Sequence, residues 1–189
     1  MFRTSPFDTA LLLEAVAHQM LVGVLGMAFH EAVRGGHSSS GKAAAAGYVG
    51  KLFANVGLLS GLLQLLALPW AVAWVGSLRL LQTLPLVTGA GCLWALAAPT
   101  PQSTSAVYAV TKVLEYSVRG TAVELLHLRM PLEARQAIGL VGVRLARGAV
   151  FASLYTLSRA LAPPSLPSLL IAALLLSVSW GAVLLNVGT

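Results

Sequence analysis

Residues 54–74 read ANVGLLSGLLQLLALPWAVAW, a run of 21 residues without a charged side chain. A helix needs about 20 mostly apolar residues to cross the hydrocarbon core of a bilayer, so this run predicts a transmembrane helix. The whole chain has a matching composition, because 57% of its 189 residues are hydrophobic and only 10% are charged. Soluble domains carry about 25% charged residues. The sequence therefore predicts an integral membrane protein surrounded by membrane lipids.

Similar apolar runs recur along the chain, and segments rich in Gly, Pro and Ser separate them, such as RGGHSSSGK at 34–42. We predict a single all-α transmembrane domain over residues 1–189, with about six helices. Pro69 and Pro85 fall inside apolar runs and are expected to kink or end the helices there. The predicted spans are 9–33, 44–74, 78–98, 104–126, 133–161 and 165–187.

The formal net charge of +6 does not indicate a nucleic-acid partner, because the basic residues are scattered and form no patch. Their distribution fits a topology signal better, since Lys and Arg are enriched in the loops on the cytosol-like side of a membrane. Five arginines are assigned to the side of both termini, namely Arg3, Arg79, Arg119, Arg129 and Arg135. The other side receives Arg34, Lys42 and Arg159. The count places both termini on the positive side.

No sequence pattern indicates catalysis. Cys92 is the single cysteine, and the four histidines lie far apart in the sequence, so no metal-ligand spacing is present. Neither a Ser/His/Asp arrangement nor a Gly-rich phosphate loop is found. We therefore predict that the chain is not an enzyme and holds no metal or cofactor.

Charged residues inside the predicted spans are the main functional signal, because each costs about 2.5–3.5 kcal/mol at the bilayer centre even on the most lenient scale. Some are spaced to share a helix face: Glu14 with His18, Lys112 with Glu115, and Arg144 with Arg147. We expect an intramembrane ion-pair network among Glu14, His18, Lys112, Glu115, Glu124, Arg144 and Arg147.

Two questions about these charged residues remain open at this point. Arg144 and Arg147 have no acidic neighbour in sequence, so their counter-charge is Glu115 or Glu124, an anionic ligand such as a phosphate, or a lipid headgroup. Glu14 with His18 serves either as polar glue between helices or in proton coupling.

The segment KVLEYSVRGTAVELLHLRMPLEARQAIGLVGVRLARGAVFASLY, residues 112–155, carries a family resemblance. The order of Lys112, Tyr116, Ser117 and Glu124, followed by Pro131-Leu132, resembles the C-terminal half of the NTT-type ATP/ADP antiporters of plastids and bacterial parasites. Arg147-Gly148 falls where that family has a substrate-associated lysine. Upstream, the eighth helix of the family is matched loosely by Tyr48, Gly50, Phe53 and Gln64.

The resemblance implies half of a major-facilitator-like fold, in which two six-helix bundles normally surround a central substrate path. Several of the family's charges are missing. An acidic residue of the family corresponds to Gly26, with Glu31 one turn beyond, and an aspartate corresponds to Gly139. The family's lysine-rich loop is shortened to EARQA, residues 133–137. These losses argue against tight binding of a polyanion such as ATP.

These observations favour a transporter-derived, non-transporting accessory or structural subunit of a multi-protein membrane complex in an organelle, a plastid or a mitochondrion. Its expected partners are other membrane-protein subunits or a second copy of itself. The alternative is a half-size nucleotide (ATP/ADP) transporter that acts as a dimer, because alternating access needs two bundles. In that case Lys112, Arg144 and Arg147 would contact the phosphate groups, and a nucleotide or an anionic lipid would bind near the two arginines.

Overall fold

The computed structural model describes residues 6–36, 41–128, 130–139, 144, 148–149, 152–153, 156 and 165–187. All the regular structure of these residues is helical, and no strand occurs among them. The α-helices are α1 (Pro6–Gly36), α2 (Gly41–Leu62), α3 (Leu68–Val75), α4 (Ser77–Ala97), α5 (Pro101–Leu114), α6 (Gly120–His127), α7 (Leu132–Ala137) and α8 (Leu166–Val187). Two π-helical segments join α2 to α3 (Leu63–Ala67) and α5 to α6 (Glu115–Arg119).

Four of these helical stretches are long and apolar enough to cross a membrane: Phe7–Gly36, Gly41–Val75, Ser77–Ala97 and Leu166–Leu185. They correspond to the first, second, third and sixth predicted spans. The continuous helix from α5 to α6 covers the fourth predicted span but carries more charge. Most of the fifth predicted span, 133–161, lies outside the described residues. The count of six spans stays a prediction.

The prolines have different consequences in the two helices where they were expected to act. Pro85 lies inside α4, which continues through it to Ala97. Pro69 lies in the first turn of α3, directly after the π-helical segment Leu63–Ala67. Since helical structure continues from Leu63–Ala67 into α3, the missing N–H of Pro69 removes one backbone hydrogen bond at this boundary. Of the two outcomes expected at a proline, a kink or a helix end, the end does not occur at Pro85, and a kink there stays a prediction.

Contacts between helices fix the directions in which they run. Glu14 near the start of α1 pairs with Arg119, and Phe29 further along α1 stacks on the Tyr108 ring of α5 at a centroid distance of 4.5 Å. The helix from α5 to α6 therefore runs antiparallel to α1. It ends where α1 begins, and we call this the first end of the bundle.

Helix α8 runs antiparallel to α4. Gln82 Nε2 donates to the Leu184 carbonyl at 3.0 Å, and Ser177 Oγ donates to the Pro85 carbonyl at 2.5 Å. The helix that leads into α3 runs parallel to α5 and α6, since Ser60 bonds to Val113 and Gln64 to Tyr116. Because α4 begins only one residue after α3, α4 starts at the first end. Helix α8 therefore begins at the opposite end of the bundle and finishes at the first end.

Helices α1, α4 and α8 pack most closely and supply most of the buried apolar residues, including Leu21, Leu81 and Leu170. In contrast, the stretch from α2 to α3 lies at the side of the bundle, where, among the described helices, it packs mainly against α5 and the π-helical segment after it, apart from its turn into α4. Its outward side chains are large and apolar, and Leu65 and Trp74 are 77% and 82% exposed. A contiguous apolar surface of this kind marks contact with a membrane or another protein.

We expect Gly89→Leu to destabilise the bundle by about 1–3 kcal/mol, the usual cost of overpacking a core. A Cβ at Gly89 would lie 3.2 Å from Ser177 Oγ and 3.8 Å from a methyl carbon of Leu174 across the α4–α8 contact. The matched control is Gly57→Leu, since a Cβ at Gly57 meets nothing within 4 Å. Thermal unfolding of the detergent-solubilised protein compares the two variants. An equal loss in both would show that the α4–α8 contact is not tightly packed.

Candidate functional site

A buried salt bridge joins α1 to the helix formed by α5 and α6. Arg119 Nε and Nη2 each donate to one carboxylate oxygen of Glu14, both at 2.9 Å. Glu14 is 1% exposed and Arg119 is 9% exposed. A bidentate contact of this kind is the strongest form of a carboxylate–guanidinium pair, because it combines two charge-assisted hydrogen bonds in a fixed geometry.

A second group of charges lies one helical turn deeper in the bundle. Lys112 Nζ donates to Glu115 Oε2 at 2.7 Å, and Glu115 Oε1 lies 3.5 Å from His18 Nε2. The ammonium group of Lys112 also lies 5.8 Å and 5.5 Å from the ring centroids of Tyr108 and Tyr116, within the range of cation–π attraction. Lys112 is thus enclosed by an acid and two aromatic rings.

The spacing of the residues explains why these groups meet. Glu14 and His18 are four residues apart on α1, and Glu115 and Arg119 are four residues apart on the facing helix. Residues at this spacing share a helix face. Because the two helices are antiparallel, Glu14 lies opposite Arg119 while His18 lies opposite Glu115. We call Glu14, His18, Lys112, Glu115 and Arg119 the buried ionic chain.

The charges of the buried ionic chain balance without His18. Two carboxylates, those of Glu14 and Glu115, face two cations, those of Lys112 and Arg119. The His18 ring packs on the Trp180 ring at a centroid distance of 5.0 Å, and neither ring nitrogen has a hydrogen-bond partner among the described residues. Because these charges balance, the buried ionic chain needs no counter-ion from outside the protein.

The π-helical segment Glu115–Arg119 supplies two members of the buried ionic chain, Glu115 at its first residue and Arg119 at its last. Opposite it, the other π-helical segment brings Gln64 within hydrogen-bond distance, and Gln64 Nε2 donates to the Tyr116 carbonyl at 2.7 Å. A π turn disrupts the regular i→i−4 backbone bonding and is frequent at functional sites. The glutamine side chain therefore satisfies a carbonyl in the distorted turn.

Four of the seven residues expected in the intramembrane network belong to the buried ionic chain: Glu14, His18, Lys112 and Glu115. Glu124 lies elsewhere, where its Oε2 accepts from Arg135 Nη2 at 2.7 Å in an exposed contact. Arg144 is exposed and lines a cavity that also contains Glu124. Arg147 lies outside the described residues.

Sequence reasoning missed Arg119, which it assigned to a membrane-end position as a topology signal. The structure shows that Arg119 is buried and pairs with Glu14, while its value as a topology signal stays a prediction. The expected Glu14–His18 contact is replaced by two contacts to the facing helix. The spacing of Glu115 and Arg119 was available in the sequence, but nothing local distinguished a buried arginine from one at a helix end.

A cavity of about 350 Å³ opens near the first end of the bundle. Its polar lining comes from three arginines, one histidine and one glutamate: Arg119, Glu124, His127, Arg135 and Arg144. Partial burial lowers the pKa of the His127 imidazole, which favours its neutral form at physiological pH. With the imidazole neutral, three guanidinium groups face one carboxylate, so the cavity is electropositive.

Among the residues that the structure describes, no group of three or more His, Cys, Asp or Glu side chains could hold a metal ion. Cys92 is buried in the core. Comparisons with protein families, with curated proteins and with solved structures find no match to this chain.

Proposed function

We propose that this chain is a six-span integral membrane protein that acts as a non-transporting structural subunit of a multi-protein membrane complex. Its transporter-like sequence features would then serve the stability of the fold. The resemblance to plastid and parasite nucleotide transporters suggests an organelle, a plastid or a mitochondrion, as the location.

Placement in a membrane is supported by the surface of the bundle. Four helical stretches are long and apolar enough to cross a bilayer. The outward side of α2 and α3 carries exposed leucines and tryptophans, among them Leu58, Leu65, Trp70 and Trp74. In water such a surface would drive aggregation, whereas lipid chains or an apolar neighbour cover it without cost.

The directions of the helices support the fifth predicted span, which would bring the count to six. Helix α6 finishes at the first end of the bundle, where α1 begins, while α8 starts at the opposite end. The chain between them therefore has to connect opposite ends of the bundle. A return crossing by residues 133–161, as the sequence predicts, provides this connection.

The absence of transport is supported by one observation above all, which is that the buried cations are already neutralised inside the bundle. Arg119 uses two of its nitrogens on Glu14, and Lys112 is held by Glu115 between two tyrosine rings. Binding a phosphate group at Lys112 would require breaking a 2.7 Å ion pair and leaving the carboxylate of Glu115 buried without its partner, which is costly.

A structural role is supported by the short connections of the bundle. Gly76 alone separates α3 from α4, and three residues, 98–100, separate α4 from α5. These two connections leave no room for a binding or catalytic domain between α3 and α5. The stretch from α2 to α3 carries more exposed large apolar side chains than any other described helix, and this side suits docking against another subunit.

Native size analysis tests the proposal. The protein is extracted from its own membranes in mild detergent, purified through an affinity tag, and examined by native mass spectrometry. We expect it to co-purify with several different membrane subunits in fixed proportions. A homodimer that takes up labelled ATP or ADP when reconstituted in liposomes would overturn the proposal and establish the half-size transporter.

A variant at Lys112 separates the two functions further. In the transporter, Lys112→Gln would abolish nucleotide uptake while the dimer still forms. In a structural subunit, the same change disturbs the buried ionic chain and lowers the yield of the assembled complex, with no uptake to lose. Lys51→Gln, at an exposed position of α2, is the matched control for the lost charge.

A further inference from the structure

We propose that the cavity at the first end of the bundle binds a phosphate group. The proposal concerns Arg119, Glu124, His127, Arg135 and Arg144, and it is independent of whether the chain assembles with other subunits. The size, the charge, the free donors and the position of the cavity each support it.

The size of the cavity is suited to a small polar group. Its volume of about 350 Å³ lies at the lower end of the range of 300–1,000 Å³ that is usual for ligand sites. The remaining lining residues are small or apolar, including Gly120, Val123 and Gly139. The two glycines project no side chains into the space, so the arginines have room to converge.

The charge of the cavity favours an anion. Three guanidinium groups face one carboxylate, that of Glu124. Arg119 pairs with Glu14, which does not line the cavity, and Arg135 pairs with Glu124. Of the three arginines, Arg144 is therefore left as the uncompensated charge. Among the described residues no carboxylate pairs with Arg144. The cavity thus keeps a net positive charge after the ion pairs of the described residues are counted.

Free hydrogen-bond donors remain on the paired arginines as well. A guanidinium group has five N–H donors in a planar fork. Arg119 uses Nε and Nη2 on Glu14, and Arg135 uses Nη2 on Glu124, so Nη1 of each has no partner among the described residues and can donate to a ligand. Planar forks of this kind match the oxygen spacing of a phosphate better than an ammonium group does.

The position of the cavity agrees with phosphate chemistry at a membrane surface. Its lining extends from Arg119 to His127, the last residue of α6, so it lies at one end of the bundle. Phospholipid headgroups occupy that level of a bilayer, and a soluble phosphate could also enter there from water. The two sources present the same tetrahedral oxyanion.

Binding measurements on the purified full chain test the site and identify the source. The protein is placed in nanodiscs of phosphatidylcholine alone and titrated with inorganic phosphate, and separately in nanodiscs with increasing fractions of phosphatidic acid. Saturable binding of inorganic phosphate would identify a soluble ligand. Saturation by phosphatidic acid, with no response to inorganic phosphate, would identify a lipid headgroup.

The variant Arg144→Gln removes the uncompensated charge without breaking an ion pair among the described residues. Since one charge-assisted hydrogen bond contributes about one to two factors of ten in affinity, we expect binding of the responding probe to weaken about tenfold or more. Arg34→Gln removes the same charge from the opposite end of the bundle and should change the affinity less than twofold. Equal losses in both variants, or no saturable binding of either probe, would overturn the proposal.

Discussion

Replacing Arg119 by leucine should destabilise the bundle by about 3–5 kcal/mol, the cost of leaving one partner of a buried ion pair unpaired. The carboxylate of Glu14 would remain 1% exposed with no cation to hold it. Thermal unfolding in detergent should show the loss directly. Where the variant does not accumulate, the yield of monodisperse protein after size-exclusion chromatography gives the same result.

Two further variants separate the ion pair from the packing around it. The double variant Glu14→Leu with Arg119→Met removes both charges together and should recover most of the lost stability, because apolar residues of similar volume often replace a buried pair at little cost. Arg34→Leu is the matched control, since the Arg34–Glu31 pair is exposed and such pairs contribute about 0–1 kcal/mol. If Arg119→Leu costs no more than Arg34→Leu, the buried pair does not stabilise the fold.

Replacing Trp180 by alanine should have the second largest effect, a loss of about 3 kcal/mol or more from the cavity that it leaves. Trp180 is 1% exposed and packs against the His18 ring, so it closes the side of the buried ionic chain that faces α8. The same thermal measurement applies.

Trp180→Phe and Trp74→Ala provide the comparison. The indole Nε1 of Trp180 has no hydrogen-bond partner among the described residues, so phenylalanine keeps the aromatic contact and removes an unsatisfied donor. We expect it to cost much less than alanine. Trp74 is 82% exposed, and its loss should leave the unfolding temperature of the isolated protein nearly unchanged. A large effect of Trp74→Ala would instead mean that α3 packs within the isolated bundle.

The described long helices were predictable because their signals are local. Apolar runs of the required length lie between segments that end one helix and start the next. Thr100, which caps the N-terminus of α5, shows how such a segment fixes a helix start. Its hydroxyl accepts from the Ser103 N–H while Ser103 Oγ accepts from the Thr100 N–H, both at 3.1 Å, and Pro101 follows at the first helical position. The π-helical segments were not predicted, because nothing in their local composition distinguishes them from the α-helices that flank them.

The site was predictable only where its contacts are local in sequence. Lys112 and Glu115 are three residues apart, and their spacing gave the ion pair that the structure contains. Glu14 and Arg119 are 105 residues apart, so no spacing rule connects them. Their pairing depends on the alignment of two antiparallel helices, which tertiary packing decides. For the same reason the cavity with Arg135 and Arg144 could not be derived from the sequence.

Gly76 has a consequence for how the protein is made. It is the whole connection between α3 and α4, and its φ of +85° is a conformation that glycine adopts far more readily than other residues. A one-residue connection is too short to let one helix take its final position while the other is still far from it. If α3 and α4 enter a membrane, we therefore expect them to insert together as one hairpin.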